Sequence, residues 1–198
     1  EMTSSLVGSE MCIRDSNKIL AYSSIGQVGY IAMGFAIGNF YGLVGAILHI
    51  VSHAFMKSGL FYTSGALKFR YGIHETSQLG QIYKDMPVTS LTMCVCALSM
   101  IGLPPFAGFF SKWYLALGAM QNGQYVFVAV LIASSLLSAI YFFRVMEKMF
   151  MDKKTAKEKE NLYILRRSEL PWQIIVPMIV TICAVIFLGP VSYTHLRA

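Results

Sequence analysis

Apolar residues occur along this chain in long runs, separated by short polar stretches. A helix needs about 20 apolar residues to cross a bilayer, and runs near or above that length predict five membrane spans. They are Ile19–Gly38, Gly42–Leu67, Pro87–Ala119, Tyr125–Phe150 and Pro171–Gly189. The pattern therefore predicts an all-α, polytopic transmembrane helix bundle.

The third span is interrupted by Gly102, Leu103, Pro104 and Pro105, with Gly108 shortly after them. Two consecutive prolines lack amide donors and clash with the preceding turn, so the helix must break there. A break at membrane depth is tolerated only where the freed backbone groups are buried in protein or line a wet cavity. Transporters use such broken helices to build ion sites. The alternative is a kink that only shapes the bundle.

Two lysines lie inside the predicted spans, Lys57 in the second and Lys112 just after the break in the third. A charge at the centre of a bilayer costs about 3 kcal/mol on insertion scales. Such residues usually face a protein interior or water and serve ion movement. For Lys112, the alternative is a side chain that reaches a membrane interface.

His49, His53 and Lys57 are spaced four residues apart and therefore form a row on one helix face. We call these three residues the polar row. Histidine gains and loses a proton near neutral pH, so the polar row predicts proton or cation movement through the membrane. The alternative is an inert interhelical network that also includes Ser52, Ser58 and Ser64.

Composition supports a membrane protein. The chain of 198 residues is 56% hydrophobic and 13% charged, whereas about a quarter of the residues in a soluble domain are charged. The net charge is +6, and most basic residues lie between spans or at their ends, without the aromatic interleaving of a nucleic-acid surface. The turns Asn39–Tyr41 and Met120–Gln124 carry no basic residue. The positive-inside tendency then predicts cytoplasmic charged loops.

Other chemistry is not predicted. Cys94, Cys96 and Cys183 lie in apolar runs and are expected to be small hydrophobic side chains rather than metal ligands. The chain has no phosphate-binding glycine loop and no cysteine set for an iron–sulfur cluster. We therefore expect no cofactor, no metal and no catalytic chemistry within this chain.

Both ends are predicted to be non-native. Glu10–Asp15 match the translation of a common sequencing adapter, and Val191–Ala198 match the translation of its reverse complement. Residues 1–16 and 191–198 are therefore excluded as tails, which leaves 17–190 as the native membrane segment. Half a bundle is expected to leave the polar row facing lipid, so the isolated segment is predicted to be unstable.

Four stretches carry a resemblance to a known family. They are KILAYSSIGQVGY (Lys18–Tyr30), HAFMKSGLF (His53–Phe61), GLPPFAGFFSKWYL (Gly102–Leu115) and SSLLSAIYFFRV (Ser134–Val145). The chain resembles the antiporter-like membrane subunits shared by respiratory complex I and Mrp-type cation/proton antiporters. The resemblance implies the C-terminal part of an inverted-repeat fold, in a hetero-oligomeric complex of the bacterial plasma membrane.

The resemblance also implies roles for individual residues. His53 and Lys57 correspond to the family's central polar axis, and Lys112 to the ionisable residue of the broken helix. No relay role carries over to Gln27. The later sequence, including PWQIIVPMIV, looks more like the D-type subunit of an Mrp sodium/proton antiporter, with complex I subunit N or M as the alternative. A non-conducting scaffold is the alternative of another class.

Overall fold

The computed structural model describes residues 16–71, 82–151 and 171–195, and these residues are helical apart from short turns. The helices are α1 (Ser16–Ile37), α2 (Phe40–Tyr71), α3 (Pro87–Ile101), α4 (Ala107–Gln121), α5 (Tyr125–Met151) and α6 (Trp172–His195), with a 3-10 turn at Ile82–Lys84. The predicted all-α bundle is confirmed. Residues 1–15 and 196–198 of the predicted tails lie outside the described ranges.

Three of the described helices are long and apolar enough to cross a membrane: Phe40–Arg70, Tyr125–Met151 and Trp172–Val191. Ser23–Ile37 and Pro87–Ile101 form shorter apolar helices. The predicted third span is divided into α3 and α4, each of 15 residues. The helix break thus lies where the prolines place it.

Glycine ends α3 and also lets α4 approach it. Gly102 has φ 94° and ψ 42°, a left-handed conformation that favours glycine, and its N–H donates to the Leu98 carbonyl. Helix α4 begins after the prolines, and its second residue, Gly108, packs against α3. The Gly108 N–H donates to Ser99 Oγ at 3.1 Å, and a Cβ at Gly108 would overlap the Ser99 carbonyl. The two half-helices therefore stay in contact across the break.

Close contacts at glycine also hold α1 and α4 against α2. A Cβ on Gly34 would lie 2.7 Å from the Ala46 Cβ, and a Cβ on Gly45 would lie 2.8 Å from the Leu115 backbone nitrogen. Both distances are too short for a real side chain. Helix α2, which carries the polar row, is consequently enclosed between its two neighbours.

Two asparagines join the uncharged turns at one end of the bundle. The Asn39 amide donates to the Gly118 carbonyl at 2.7 Å, and the Asn122 amide donates to the Ile37 carbonyl at 2.6 Å. The α1–α2 turn therefore lies beside the α4–α5 turn. These are the two turns that lack basic residues. The structure thus places both of them at one end of the bundle, as the charge pattern predicts.

Large apolar side chains cover the outer faces of α5 and α6. They include Val126, Val130, Leu136, Leu137, Phe187 and Val180, all of which are exposed. Such a surface is expected of helices that face lipid or partner helices rather than water.

Candidate functional site: a buried array of ionisable and hydroxyl groups

Both lysines are buried inside the bundle. Lys57 is 7% exposed and Lys112 is 6% exposed, while His49 is completely buried. The expectation that this part of a bundle leaves the polar row facing lipid is therefore wrong for His49 and Lys57. The reason is that α1 and α4 pack on either side of α2 and cover that face.

Lys112 joins the two sides of the helix break. Its Nζ donates to the carbonyl oxygens of Met100 at 2.9 Å and Ile101 at 3.0 Å, and to Ser135 Oγ at 3.2 Å. Carbonyls in the last turn of a helix have no helical N–H partner, and a cation is stabilised by the negative end of the helix dipole. Lys112 therefore bonds to buried groups inside the bundle and does not extend to its outer surface.

His49 has a hydrogen-bond partner on each ring nitrogen. Nδ1 lies 2.9 Å from Ser111 Oγ, and Nε2 lies 2.9 Å from Gln27 Oε1. The partners come from α4 and α1, respectively, so this histidine joins three helices. Gln27 is 1% exposed and Ser111 is completely buried.

The rest of the polar row continues from His49 along α2. The ring of His53 stacks on that of His49, with centroids 6.2 Å apart and planes at 11°. Within the described part of the chain, His53 Nε2 is buried and has no hydrogen-bond partner. Lys57 Nζ donates to Ser23 Oγ on α1 and lies 5.8 Å from the centre of the Phe61 ring.

Tyr30 lies between the polar row and Lys112. Its ring meets His49 edge-on, with centroids 5.5 Å apart, and Lys112 Nζ lies 5.1 Å from the ring centre. The Tyr30 hydroxyl is 3.5 Å from Ser135 Oγ, which Lys112 also contacts. The two groups of residues predicted from the sequence therefore form one array, which we call the polar array: Ser23, Lys57, His53, His49, Gln27, Ser111, Tyr30, Ser135 and Lys112.

Two of the three serines proposed as members of an inert network, Ser52 and Ser58, bond within their own helix. The hydroxyl of Ser52 donates to the Leu48 carbonyl and that of Ser58 to the Ala54 carbonyl, each at 2.7 Å within α2. These bonds are local to one helix and do not join neighbouring helices. The interhelical partners of the polar row are instead on α1 and α4.

Possible metal ligands do not cluster in the described ranges. No group of three or more His, Cys, Asp or Glu side chains there is placed to hold a metal ion. Cys94, Cys96 and Cys183 are free thiols. The chemistry of the polar array is therefore that of amine, imidazole, amide and hydroxyl groups.

Sequence reasoning missed several members of the polar array. It gave no role to Gln27, Tyr30 or Ser111, although each is buried against a predicted site residue. Gln27 could have been found from the sequence, because it is an amide in an apolar span and a buried amide requires a hydrogen-bond partner.

A bundle of apolar helices that encloses ionisable side chains beside a broken helix defines a polytopic membrane protein of the transporter-like class. The sequence profile of the family described as NADH:quinone oxidoreductase/Mrp antiporter, TM, matches residues 1–138. The chain belongs to this family.

Individual relatives are consistent with this membership. The chain is 47% identical over 192 residues to NADH-quinone oxidoreductase subunit N of Desulforudis audaxviator (strain MP104C), covering 93% of this chain and 38% of the relative. It thus spans well under half the length of that relative.

Solved structures show the same fold. An archaeal respiratory membrane complex, the membrane-bound sulfane sulfur reductase, matches with a TM-score of 0.79 and 28% identity over 90% of this chain and 28% of that chain. The Mrp complex from Dietzia sp. DQ12-45-1b matches with a TM-score of 0.81 and 23% identity over 96% of this chain and 43% of that chain.

The predicted resemblance to antiporter-like subunits is confirmed. Within the family, the comparisons favour the alternative, subunit N, over the expected D-type antiporter subunit. The 47% identity is to a subunit N, and the 23% identity to the Mrp complex supports only the shared fold.

Proposed function

We propose that this chain is part of a subunit N-type membrane subunit that conducts protons in an NADH-quinone oxidoreductase-type complex. The observation that carries the proposal is the burial of Lys57 and Lys112 in one continuous polar array. Burying an ammonium group is costly, and a membrane protein usually retains such groups for ion movement.

The chemistry of the polar array supports protons as the conducted species. Sodium and other hard cations are held by oxygen ligands, with carboxylates and carbonyls most common. The lysines of the polar array present ammonium donors, and its carbonyl contacts at Met100 and Ile101 are already occupied by Lys112. The expectation of sodium exchange therefore has less support than proton conduction.

Proton movement in this proposal uses groups that both accept and release protons. The polar row holds the proton on the α2 side, and Lys112 holds it at the helix break. Tyr30 and Ser135 lie between these two positions. Because like charges repel more strongly in a low-dielectric interior than in water, a proton arriving at one position favours release from the next.

The environment of the subunit is part of the same proposal. It is a bacterial plasma membrane, in which other subunits of a hetero-oligomeric complex cover part of the apolar surface. The basic residues face the cytoplasm by the positive-inside tendency. The contact between the uncharged turns at Asn39 and Asn122 supports a bundle with two electrostatically different ends.

One observation favours a second candidate, a scaffold that conducts nothing. The bonds from Lys112 to Met100 and Ile101 stabilise the broken helix whether or not a proton moves. In this alternative Lys112 has only a structural role, and any residue that retains its hydrogen bonds keeps the broken helix in place.

The experiment is to reconstitute the complex that contains the full-length subunit into proteoliposomes. Internal pH is then followed during NADH-driven quinone reduction, and separately after a sodium gradient is imposed without NADH. We expect NADH to drive proton movement and the sodium gradient to drive none. Sodium-driven proton exchange without quinone chemistry would instead support the antiporter assignment.

A further inference from the structure

His49 lies between two neutral side chains, each of which can either accept or donate a hydrogen bond. We propose that Gln27 and Ser111 are positioning residues that let His49 hold a proton on either ring nitrogen, which makes it a two-way relay between the rest of the polar row and α4. The inference rests on the proposed proton conduction, and it assigns a role to two residues that the sequence analysis left without one.

Ser111 has one hydroxyl hydrogen and two possible acceptors. Its Oγ lies 2.9 Å from His49 Nδ1 and 3.1 Å from the Gly108 carbonyl oxygen. When the hydroxyl donates to Gly108, Oγ accepts from a protonated Nδ1; when it donates to His49, Nδ1 carries no proton. The Gly108 carbonyl lies in the first turn of α4 and keeps its helical N–H partner in both cases. The change is therefore a rotation of one hydroxyl group.

Gln27 offers the same choice on the other side of the ring. Its Oε1 lies 2.9 Å from His49 Nε2, where it accepts from a protonated nitrogen. Rotating the amide group by half a turn places its NH₂ there instead, and it then donates to an unprotonated nitrogen. Gln27 is buried, so its amide group is enclosed by the bundle.

Together the two partners satisfy every protonation form of the ring. Each neutral tautomer finds one donor and one acceptor, and the imidazolium finds two acceptors. A buried polar group without a partner costs about 1–3 kcal/mol, so a fixed donor or fixed acceptor in either place would trap one form. The titratable groups that face this ring are His53 on α2, Lys112 on α4 and Tyr30 on α1; none of them replaces the two bonds.

The test uses the complex with full-length subunit and measures protons moved per quinone reduced, normalised to assembled complex. Ser111→Ala and Gln27→Met are each expected to lower this ratio about tenfold, the effect of losing one buried hydrogen bond in a transfer step. Ser52→Ala is the matched control, because its hydroxyl bonds only within α2, and it is expected to leave the ratio unchanged.

Two conservative variants separate relay from structure. Ser111→Thr keeps the hydroxyl and is expected to recover the ratio to within about threefold of wild type. Gln27→Glu keeps an acceptor, and its carboxyl group donates only while it is protonated, so we expect its ratio to fall as the pH is raised. Wild-type ratios in Gln27→Met or Ser111→Ala overturn the inference, even if these variants melt at lower temperature.

A further variant separates this inference from the proposed function. If Lys57→Met loses proton movement while Ser111→Ala and Gln27→Met retain it, only the inference fails. If Lys57→Met itself moves protons at the wild-type ratio, the proposed function fails, and the inference fails with it.

Discussion

The Nζ atom of Lys112 lies 2.9 Å from the carbonyl oxygen of Met100, on the opposite side of the helix break. This bond connects α4 to the end of α3, so the residue proposed to carry a proton also stabilises the break. The charge on Lys112 and the geometry of the break are therefore linked. A proton leaving Lys112 weakens a charge-assisted bond to two carbonyls.

Replacing Lys112 with arginine separates the two roles. Arginine retains a cation and several donors for the carbonyls of Met100 and Ile101, but it does not lose its proton inside a protein. We expect Lys112→Arg to assemble and to have lost proton translocation, as measured in proteoliposomes. Lys112→Met is expected to lose translocation as well. Full translocation by the arginine variant would contradict a proton-carrying role for Lys112 and leave it only the structural role at the break.

The contact at Gly108 leaves no room for a side chain. In Gly108→Ala the added methyl group meets the Ser99 carbonyl, so α4 must move away from α3. Overpacking of this kind costs about 1–3 kcal/mol, and we expect a lower melting temperature of the full-length subunit. Gly65→Ala is the matched control, because no atom lies within 4 Å of the added methyl. Equal melting temperatures for the two variants would contradict the packing described at the break.

The two histidines of the polar row are expected to differ in their effect on stability. His49 is completely buried with both ring nitrogens bonded, so His49→Ala leaves a cavity and two unpaired groups. We expect a loss of about 2–5 kcal/mol. His53 is half-buried and its Nε2 has no partner within the described residues, so His53→Ala is expected to cost less. Chemical denaturation in detergent measures both, and a larger loss for His53→Ala would refute this ranking.

Asn39 is expected to stabilise the uncharged end. Its Oδ1 accepts the N–H of Gly42 at 2.8 Å, as a helix N-cap does for α2, and its amide donates to Gly118. Removing an N-cap costs about 1–2 kcal/mol, and we expect Asn39→Ala to lower the melting temperature accordingly. Gln121→Ala, at an exposed position nearby, serves as the control. A similar shift for both variants would rule out a specific role for Asn39.

The sequence was sufficient to place the helices and the break. Runs of apolar residues located α5 and the start of α6 closely, and Pro104 and Pro105 located the break, because these features depend on neighbours along the chain. The ends were less accurate: α2 continues to Tyr71, beyond the predicted Leu67, because basic side chains can end a span without ending its helix.

The partners within the site could not be predicted from the sequence. Gln27 and His49 are 22 positions apart, and His49 and Ser111 are 62 positions apart. Their contact depends on how each helix is rotated about its axis, which the nearly uniform apolar pattern of α1 does not indicate. The spacing within the polar row was predictable because it follows from a single helix. The preference for a D-type over an N-type subunit came from short strings, whereas the 47% identity to a subunit N extends over 192 residues.

The most direct test of proton conduction through the polar array is the number of protons moved per quinone reduced by the Lys57→Met complex. Methionine has a similar length to lysine, so the helices are expected to assemble as in wild type. Its side chain cannot bind or release a proton. Lys84→Met, which removes an exposed lysine, provides the control. Proton conduction through the polar array predicts that the ratio falls to background for Lys57→Met and stays at the wild-type value for Lys84→Met. A wild-type ratio for an assembled Lys57→Met complex would contradict it.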